Sequence, residues 1–257
     1  MTHANDEHVT AGDAAGPAGP APMRPRGTLH RRSRLAATVK EAAIILVSAL
    51  VLSFLVKTFL VQPFMIPSES MEDTLVAGDR VLVSKLTPGP FDLSRGDVVV
   101  FKDPGGWLDG VQVARADGTP SWLSTPLTIL GLRPQDAGEH LIKRVVGLPG
   151  DSVTCCDDRG RVAVNGVAID EAPYLAAGAV PSQTEFDVTV PAGSLWVLGD
   201  NRQHSGDSRY NGGKPGGGFV PLDDVVGVAF AKVWPLERIA LMRNPGDVFA
   251  GVPAPAP

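Results

Sequence analysis

A single apolar run near the N-terminus constrains the fold of this chain more than any other feature. Ala42 to Val61 reads AAIILVSALVLSFLVKTFLV, 20 residues that carry one charge. An α-helix of that length rises about 30 Å, the thickness of the hydrocarbon core of a bilayer. We therefore predict one transmembrane helix within residues 36–62, closed by Pro63. The lone charge, Lys57, lies near the outer end of the run, where a long side chain can reach the headgroups.

The residues before this run predict its orientation. Residues 1–34 are rich in Ala, Gly and Pro and contain few large apolar side chains, so we expect a disordered tail. Five arginines and Lys40 precede the run and place this tail in the cytoplasm of a single-pass protein of the plasma membrane. Residues 63–257 then form an extracytoplasmic region. A cleaved signal peptide is an alternative, but it needs a shorter apolar core and an Ala-x-Ala-like exit; a buried helix is another.

Composition favours a folded, β-rich domain and disfavours a nucleic-acid partner. Glycine and proline number 29 and 23 among 257 residues, which argues against a mostly helical protein. The formal net charge of −5 leaves no broad basic surface for binding phosphate groups. The two cysteines, Cys155 and Cys156, are adjacent, which excludes a disulfide framework. A vicinal disulfide and a pair of packed thiols both remain open.

Short β-branched segments bounded by turn residues fill the region after the apolar run. They predict a mainly β fold, with an antiparallel core from about 63–153 and 196–240 and a smaller β cap from about 154–195. Residues 104–139 are typical of an insertion, which we expect to pack on the core as a loop; contact with the membrane surface is the alternative. The predicted strands are Arg80–Lys85, Asp97–Phe101, Leu141–Leu148, Arg161–Gly166, Phe186–Val190, Ser194–Asp200 and Val225–Trp234.

Two hydroxyl groups follow the apolar run directly, in the segment Pro67-Ser68-Glu69-Ser70-Met71. Ser70 is nine residues after Val61, so a chain extended at about 3.3 to 3.6 Å per residue keeps it within about 30 Å of the bilayer surface. Such a segment alone is also typical of a turn or a helix cap. As a nucleophile, Ser70 would need a base.

Lys143 is the better candidate for that base. In a strand, Leu141, Lys143 and Val145 share one face. If this face is buried, desolvation lowers the pKa of the lysine toward the range useful for a base; if it is exposed, the lysine stays solvated and protonated. His140 and His204 are alternative bases, but neither lies in a catalytic motif, and the chain has no Gly-x-Ser-x-Gly elbow.

A polar segment from Gly199 to Tyr210 follows a predicted strand and precedes a glycine-rich loop. Its Asp207 and Arg209 can form an ion pair that orients a catalytic lysine, because a base generally needs a further group to fix it. Alone, the segment is typical of a turn.

Together these segments resemble type I signal peptidases, the membrane-anchored serine proteases that remove signal peptides from exported proteins. Four motifs of that family occur in the family's order. They correspond to Ser68–Met71, Arg95–Phe101, Lys143–Asp151 and Gly199–Arg209. The resemblance implies that Ser70 is the nucleophile of a Ser-Lys dyad and that the reaction passes through an acyl-enzyme.

The resemblance also assigns the supporting groups. It implies that Lys143 is the general base, that Ser68 helps to hold the oxyanion, and that Ser205 positions the lysine beside an Asp207–Arg209 ion pair. It implies secretory preproteins and the lipid bilayer as partners, and neither a metal nor a cofactor. Substrate pockets for small side chains of an Ala-x-Ala-like site are implied at Phe64, Ile66, Met71, Leu75, Val100, Leu141 and Ile142.

The sequence departs from the family pattern at several positions, including Leu141, where the family often has Tyr, and Glu69, where it often has Gly. Three other readings remain open. A membrane-anchored β-rich binding protein would use Ser70 as a cap and leave Lys143 in solvent. A self-cleaving Ser-Lys repressor has similar chemistry, but the anchor and the missing DNA-binding segment count against it. A Ser-His hydrolase would depend on His140 or His204.

Overall fold

The computed structural model describes residues 28–109 and 138–255, so most of the predicted insertion lies outside the described residues. Helix α1 spans Thr28–Phe59. Within it, Ala37–Val56 has a mean hydropathy of 2.2 and is long and apolar enough to cross a membrane, as no other helix of the described residues is. The predicted N-terminal apolar helix is confirmed. Residues 28–34, expected in the disordered tail, belong to this helix.

The helix ends earlier than the sequence predicted. It ends at Phe59, and strand β1 covers Val61–Met65, so Pro63 lies inside a strand instead of closing the helix. Strand β1 is at the edge of its sheet, where a residue without an N–H group is tolerated. Its antiparallel pairing with Arg80–Ser84 buries the Phe64 side chain. This non-local pairing competes successfully with continuation of the helix.

An antiparallel sheet of eight strands contains the larger part of the β structure. Its strands are β1 Val61–Met65, β2 Arg80–Ser84, β3 Val98–Lys102, β4 His140–Gly147, β9 Ser194–Leu198, β10 Val220–Pro221, β11 Val225–Trp234 and β12 Ala240–Leu241. The spatial order is β1-β2-β11-β3-β4-β9-β10, and β12 pairs with β11. The prediction of a mainly antiparallel β fold is confirmed.

A second sheet of four strands lies in the chain between β4 and β9. It consists of β5 Ser152–Cys155, β6 Val162–Val164, β7 Val167–Ala168 and β8 Phe186–Thr189, in the order β7-β6-β5-β8. Asn165 and Gly166 both have positive φ and form the tight turn between β6 and β7, which is the usual role of an Asn-Gly pair. Cys155 and Cys156, left open by the sequence, are joined as a disulfide at the end of β5.

Short helices complete the described structure. Four 3₁₀ helices cover Arg202–His204, Ser208–Tyr210, Leu222–Asp224 and Leu236–Arg238, and helix α2 covers Gly246–Phe249.

Strand β4 is the most deeply buried strand of the large sheet. It pairs with β3 on one side and β9 on the other, and every residue from Leu141 to Gly147 is buried. Clusters of buried apolar side chains pack around it, and each large side chain removed from water contributes about 1.5 to 3 kcal/mol. A polar side chain on this strand is therefore held in a desolvated environment.

Candidate active site

Ser70 lies on the loop between β1 and β2, held by buried apolar residues on both sides. Ile66 precedes it, and Met71 and Leu75 follow it; none of the three is more than 2% exposed. The Leu75 N–H donates to the Met71 carbonyl at 2.6 Å, which gives the segment after Ser70 one helix-like turn. The Ser70 side chain is consequently fixed and nearly covered, with 5% of the residue exposed.

The buried strand β4 brings Lys143 to this serine. Lys143 lies opposite Val99 of β3 and is 4% exposed. Its Nζ is 2.7 Å from Ser70 Oγ and 2.9 Å from the Ile142 carbonyl oxygen. The sequence placed Lys143 on a strand but could not show which face is buried; here the strand is covered on both faces.

Burial is the main influence on the lysine. It lowers the pKa of Lys143 from 10.5 to about 8, against the opposite effect of the nearby carboxylates of Asp207 and Asp200. Withdrawal from water disfavours the ammonium form because the charge loses its hydration. An amine with this pKa is neutral in an appreciable fraction of molecules near neutral pH.

Ser68 and the two histidines lie around the same segment. Ser68 Oγ is 3.3 Å from Ser70 Oγ. His204 Nδ1 is 3.3 Å from Asn201 Oδ1, and the His140 ring packs edge-on against Phe64 at 5.3 Å between centroids. The hydrogen bonds of the Ser70 hydroxyl thus lead to an amine and a second hydroxyl.

The polar segment after β9 is hydrogen-bonded to the backbone at Ser70. The Asn201 N–H donates to the Ser70 carbonyl oxygen at 3.1 Å. Asp207 accepts from the Gly199 N–H at 2.9 Å and forms a bidentate, fully buried ion pair with Arg209, with both hydrogen bonds at 2.8 Å. The predicted Asp207–Arg209 pair is present and braces this segment.

Gly199 and Ser205 are in close contact in this segment. Ser205 is 5% exposed, and its Oγ has no hydrogen-bond partner among the described residues; a bond to Lys143 is not present. A Cβ atom at position 199 would clash with Ser205 Oγ and with the Ser70 carbonyl oxygen. Position 199 therefore requires glycine.

A second buried ion pair was not identified in the sequence. Arg144, which follows Lys143 in β4, donates to both carboxylate oxygens of Asp200 at 2.8 and 2.6 Å and to the Gly96 carbonyl at 2.7 Å. Asp200 also accepts from the Thr74 hydroxyl at 2.6 Å. Both residues lie inside quoted motifs, but their pairing joins positions 56 residues apart, which no local pattern reveals.

Most of the expected substrate-pocket residues lie together. Six of the seven belong to one buried apolar cluster, formed around the strands next to the Ser70 loop: Phe64, Ile66, Met71, Leu75, Val100 and Ile142. Leu141 is in a different cluster, with Phe101 and Trp107. Neighbouring residues of a strand point to opposite faces, so Leu141 and Ile142 pack on different sides of β4.

This geometry combines a hydroxyl with an adjacent amine of lowered pKa, the arrangement that activates a serine as a nucleophile. The described residues contain no cluster of three or more His, Cys, Asp or Glu side chains that could hold a metal ion. This pair of side chains, on a mainly antiparallel β fold that follows one apolar helix, can support hydrolysis by an activated serine.

Comparisons with known proteins identify the family. A model of the family described as signal peptidase, peptidase S26, matches residues 39–234. Signal peptidase I of Mycobacterium tuberculosis H37Rv is 37% identical over 227 residues, covering 80% of this chain and 76% of that protein. A probable signal peptidase I of Mycobacterium leprae is 38% identical over 225 residues, covering 77% of each.

The chain belongs to the signal peptidase family, peptidase S26, and is therefore a peptidase of the hydrolase class. A crystal structure of a signal peptidase I from Enterococcus faecalis V583 matches 54% of this chain and 97% of its own, at 27% identity and a TM-score of 0.33. Members of the family are membrane-anchored, and α1 is the candidate anchor of this chain.

Proposed function

We propose that this chain is a membrane-anchored serine endopeptidase that removes N-terminal signal peptides from exported preproteins after an Ala-x-Ala-like site. The reaction uses a Ser70–Lys143 dyad and an acyl-enzyme intermediate. The observation that supports it is the 2.7 Å contact between Lys143 Nζ and Ser70 Oγ on a strand buried on both faces. Family membership and the similarity to signal peptidase I of Mycobacterium tuberculosis support the substrate class.

The first step transfers one proton and forms one bond. In its neutral form the Lys143 amine has a lone pair and two N–H groups, one of which donates to the Ile142 carbonyl and fixes the direction of the lone pair. The Ser70 hydroxyl donates its proton to that lone pair while Oγ attacks the carbonyl carbon of the residue before the cleaved bond. The lysine then returns the proton to the leaving amine as the C–N bond breaks.

The first step frees the mature protein as the leaving amine, and the second step releases the cleaved signal peptide from Ser70. Lys143, neutral again, takes a proton from a water molecule that attacks the ester carbonyl of the acyl-enzyme. The C–O bond to Ser70 breaks, and Oγ recovers its proton from the lysine. No group outside the chain and water is needed to balance either step.

Two donors next to the nucleophile can hold the oxyanion of both tetrahedral intermediates. They are the Ser70 N–H and the hydroxyl of Ser68, which is 3.3 Å from Ser70 Oγ. Donors fixed before the reaction stabilise developing charge without reorganisation, and loss of one typically costs about 10²- to 10³-fold in rate. Asp207, paired with Arg209, acts on the charge of the Lys143 amine, and Ser205 supports the site by packing against Gly199 beside the Ser70 carbonyl.

In this proposal the substrate pockets are formed by seven apolar residues, of which the first six belong to the apolar cluster beside the dyad: Phe64, Ile66, Met71, Leu75, Val100, Ile142 and Leu141. The residues of this cluster pack closely against one another and leave little space between them. Pockets between them therefore accept small side chains and exclude large ones. Leu141 packs on the other side of β4, with Phe101 and Trp107.

Membrane attachment completes the proposal. The N-terminal tail lies in the cytoplasm, α1 crosses the bilayer, and residues 63–257 act outside it, with a core from 63–153 and 196–240, a cap from 154–195 and an insertion at 104–139. A preprotein held in the same bilayer by its apolar segment presents its cleavage site close to the surface. Tethering both molecules to one membrane raises their effective concentration.

Cleavage of a purified preprotein in detergent or liposomes tests this function. We expect Ser70→Ala and Lys143→Ala each to reduce kcat/KM by about 10⁴-fold or more, because members of a catalytic unit fail together. Ser194→Ala and Lys102→Ala, in β9 and β3, are matched controls and should keep wild-type rates. Mass spectrometry after rapid quenching should find an acyl adduct on Ser70. Unimpaired cleavage by Lys143→Ala would refute the dyad.

The pH dependence identifies the base. We expect kcat/KM to rise tenfold per pH unit and to level off near the Lys143 pKa of about 8. The same profile in a variant with His140 and His204 replaced by Ala supports the lysine. A limb near pH 6.5 that disappears in this variant would point instead to a histidine base.

A further inference from the structure

A buried network links the small-sheet region of the chain to the segment that holds Ser70. Glu171 and Arg202 form a bidentate ion pair whose side chains are at most 1% exposed. Arg202 also donates to the Gly199 carbonyl at 3.0 Å. Glu171 belongs to the connection between β7 and β8, whereas Arg202 belongs to the segment after β9.

Tyr174 stands between this ion pair and the Arg144–Asp200 pair beside the dyad. Its hydroxyl donates to Glu171 at 2.7 Å, and the Arg144 guanidinium lies over its ring at 4.3 Å from the centroid. Tyr174 is buried, with 6% of the residue exposed. A guanidinium over a desolvated aromatic face is attracted to it, so the ring favours one position of Arg144.

A cavity of about 380 Å³ opens beside these two residues. Thr74, Lys232 and Asn244 also contribute to its lining, and Asp97 and Arg243 are its other charged members. A guanidinium without the tyrosine ring beneath it would have room to turn into this space, and water could enter behind it. Arg144 and the Tyr174 ring both line this cavity, so the ring limits how far the guanidinium can turn into it.

We propose that Tyr174 is a positioning residue for the Ser70–Lys143 dyad, acting through Arg144 and Asp200. The inference rests on the proposed function. Asp200 bonds with Arg144 and Thr74, and its neighbour Asn201 holds the Ser70 carbonyl. Displacement of Arg144 would loosen the hydrogen bonds that hold Asp200 and Asn201 in place. The negative charge of Asp200 would then act more strongly on the Lys143 amine.

The carboxylates that act on Lys143 are Asp200 and Asp207, and each is paired with an arginine. With Arg144 displaced, Asp200 would favour the ammonium form of Lys143 more strongly. The enzyme would then need a higher pH to produce the neutral amine. Loss of a residue that merely stabilises the fold would not change the pH at which the cleavage rate falls on the acidic side.

The test compares Tyr174→Leu, which removes the ring, with Tyr174→Phe, which removes the hydroxyl alone. For Tyr174→Leu we expect kcat at pH 7.5 to fall about tenfold, while KM changes by no more than about twofold. The acidic limb of the pH–rate profile should move to a pH about one unit higher, so that the rate recovers near pH 10. Tyr174→Phe should keep the wild-type limb. Tyr174→Met is the second ring-less variant if the leucine variant does not fold.

Val164→Ala, in the core of the small sheet, controls for general destabilisation. Tyr210→Phe, on a half-exposed ring, controls for loss of a phenol and should behave as wild type. The proposal is overturned if the ring-less variants keep the wild-type limb and kcat, if they merely match Val164→Ala, or if Tyr174→Phe moves the limb equally. Failure of the wild type to cleave any preprotein would instead refute the proposed function.

Discussion

Replacing Lys143 with methionine should change how the stability of this protein depends on pH. Lys143 has its pKa lowered from 10.5 to about 8 by burial in the folded state. Between these two values the unfolded chain binds a proton that the folded chain has released, so folding becomes more favourable as pH rises. Below about pH 8 both states are protonated, and the folded state carries the full cost of the buried ammonium.

The magnitude follows from the shift. A difference of this size corresponds to about 3 kcal/mol, of which about 2 to 3 kcal/mol should be recovered between pH 7 and pH 10. Lys143 is buried, so solvent screening does not reduce this figure appreciably. The Lys143→Met variant lacks the titrating group and should not show this gain. Loss of the hydrogen bonds to Ile142 and Ser70 changes the free energy of unfolding of the variant by the same amount at every pH. Comparing the change with pH in the two proteins removes this contribution.

Denaturant unfolding at pH 7, 8, 9 and 10 measures the effect. We expect the free energy of unfolding of the wild type to rise by about 2 to 3 kcal/mol relative to Lys143→Met over this range, while the variant remains inactive throughout. Lys102→Met, at an exposed position, is the matched control and should follow the wild type. Parallel curves for wild type and Lys143→Met would show that the amine is not desolvated and would refute the reasoning.

Three further predictions concern the groups around the dyad and the anchor. Ser68→Ala should lower kcat by about 10²- to 10³-fold with little change in KM, because an oxyanion donor acts mainly in the transition state; steady-state cleavage kinetics measure the split. Gly199→Ala should abolish cleavage, since its Cβ would clash with Ser205 and the Ser70 carbonyl; Gly213→Ala, with open space around it, is the control. A reporter enzyme active outside the cytoplasm, fused at the C-terminus, should be active, and an inactive fusion would contradict the proposed orientation.

The sequence predicted those parts of the fold that depend on local patterns. The sequence predicts Val225–Trp234 to the residue, because the segment is rich in β-branched and aromatic residues and a proline follows it. The sequence does not predict strand β1, because Val61 belongs to the apolar run and Pro63 is typical of the end of a helix. A short apolar segment reads equally as helix or strand, and here pairing with β2 decides between them.

The candidate site divides in the same way. Ser70, Lys143 and the Asp207–Arg209 pair lie in short motifs, so they could be named in advance. The partners that join distant segments could not: no pattern links Arg144 to Asp200 or Glu171 to Arg202, since these contacts depend on how the sheet brings the chain together. The different packing of Leu141 and Ile142 likewise depends on which strands cover each face of β4.

The two buried carboxylates that act on Lys143, those of Asp200 and Asp207, are each paired with an arginine. An unpaired Asp200 or Asp207 would favour the ammonium form and leave no base near neutral pH. Each carboxylate is instead paired with a buried, bidentate guanidinium, which largely neutralises its field at the Lys143 amine. Desolvation therefore remains the dominant influence and lowers the pKa of Lys143. Buried ion pairs are weak contributors to stability. We attribute their presence here to the rigid placement of the Ser70 segment by polar groups that do not stabilise the ammonium form of Lys143, the proposed base.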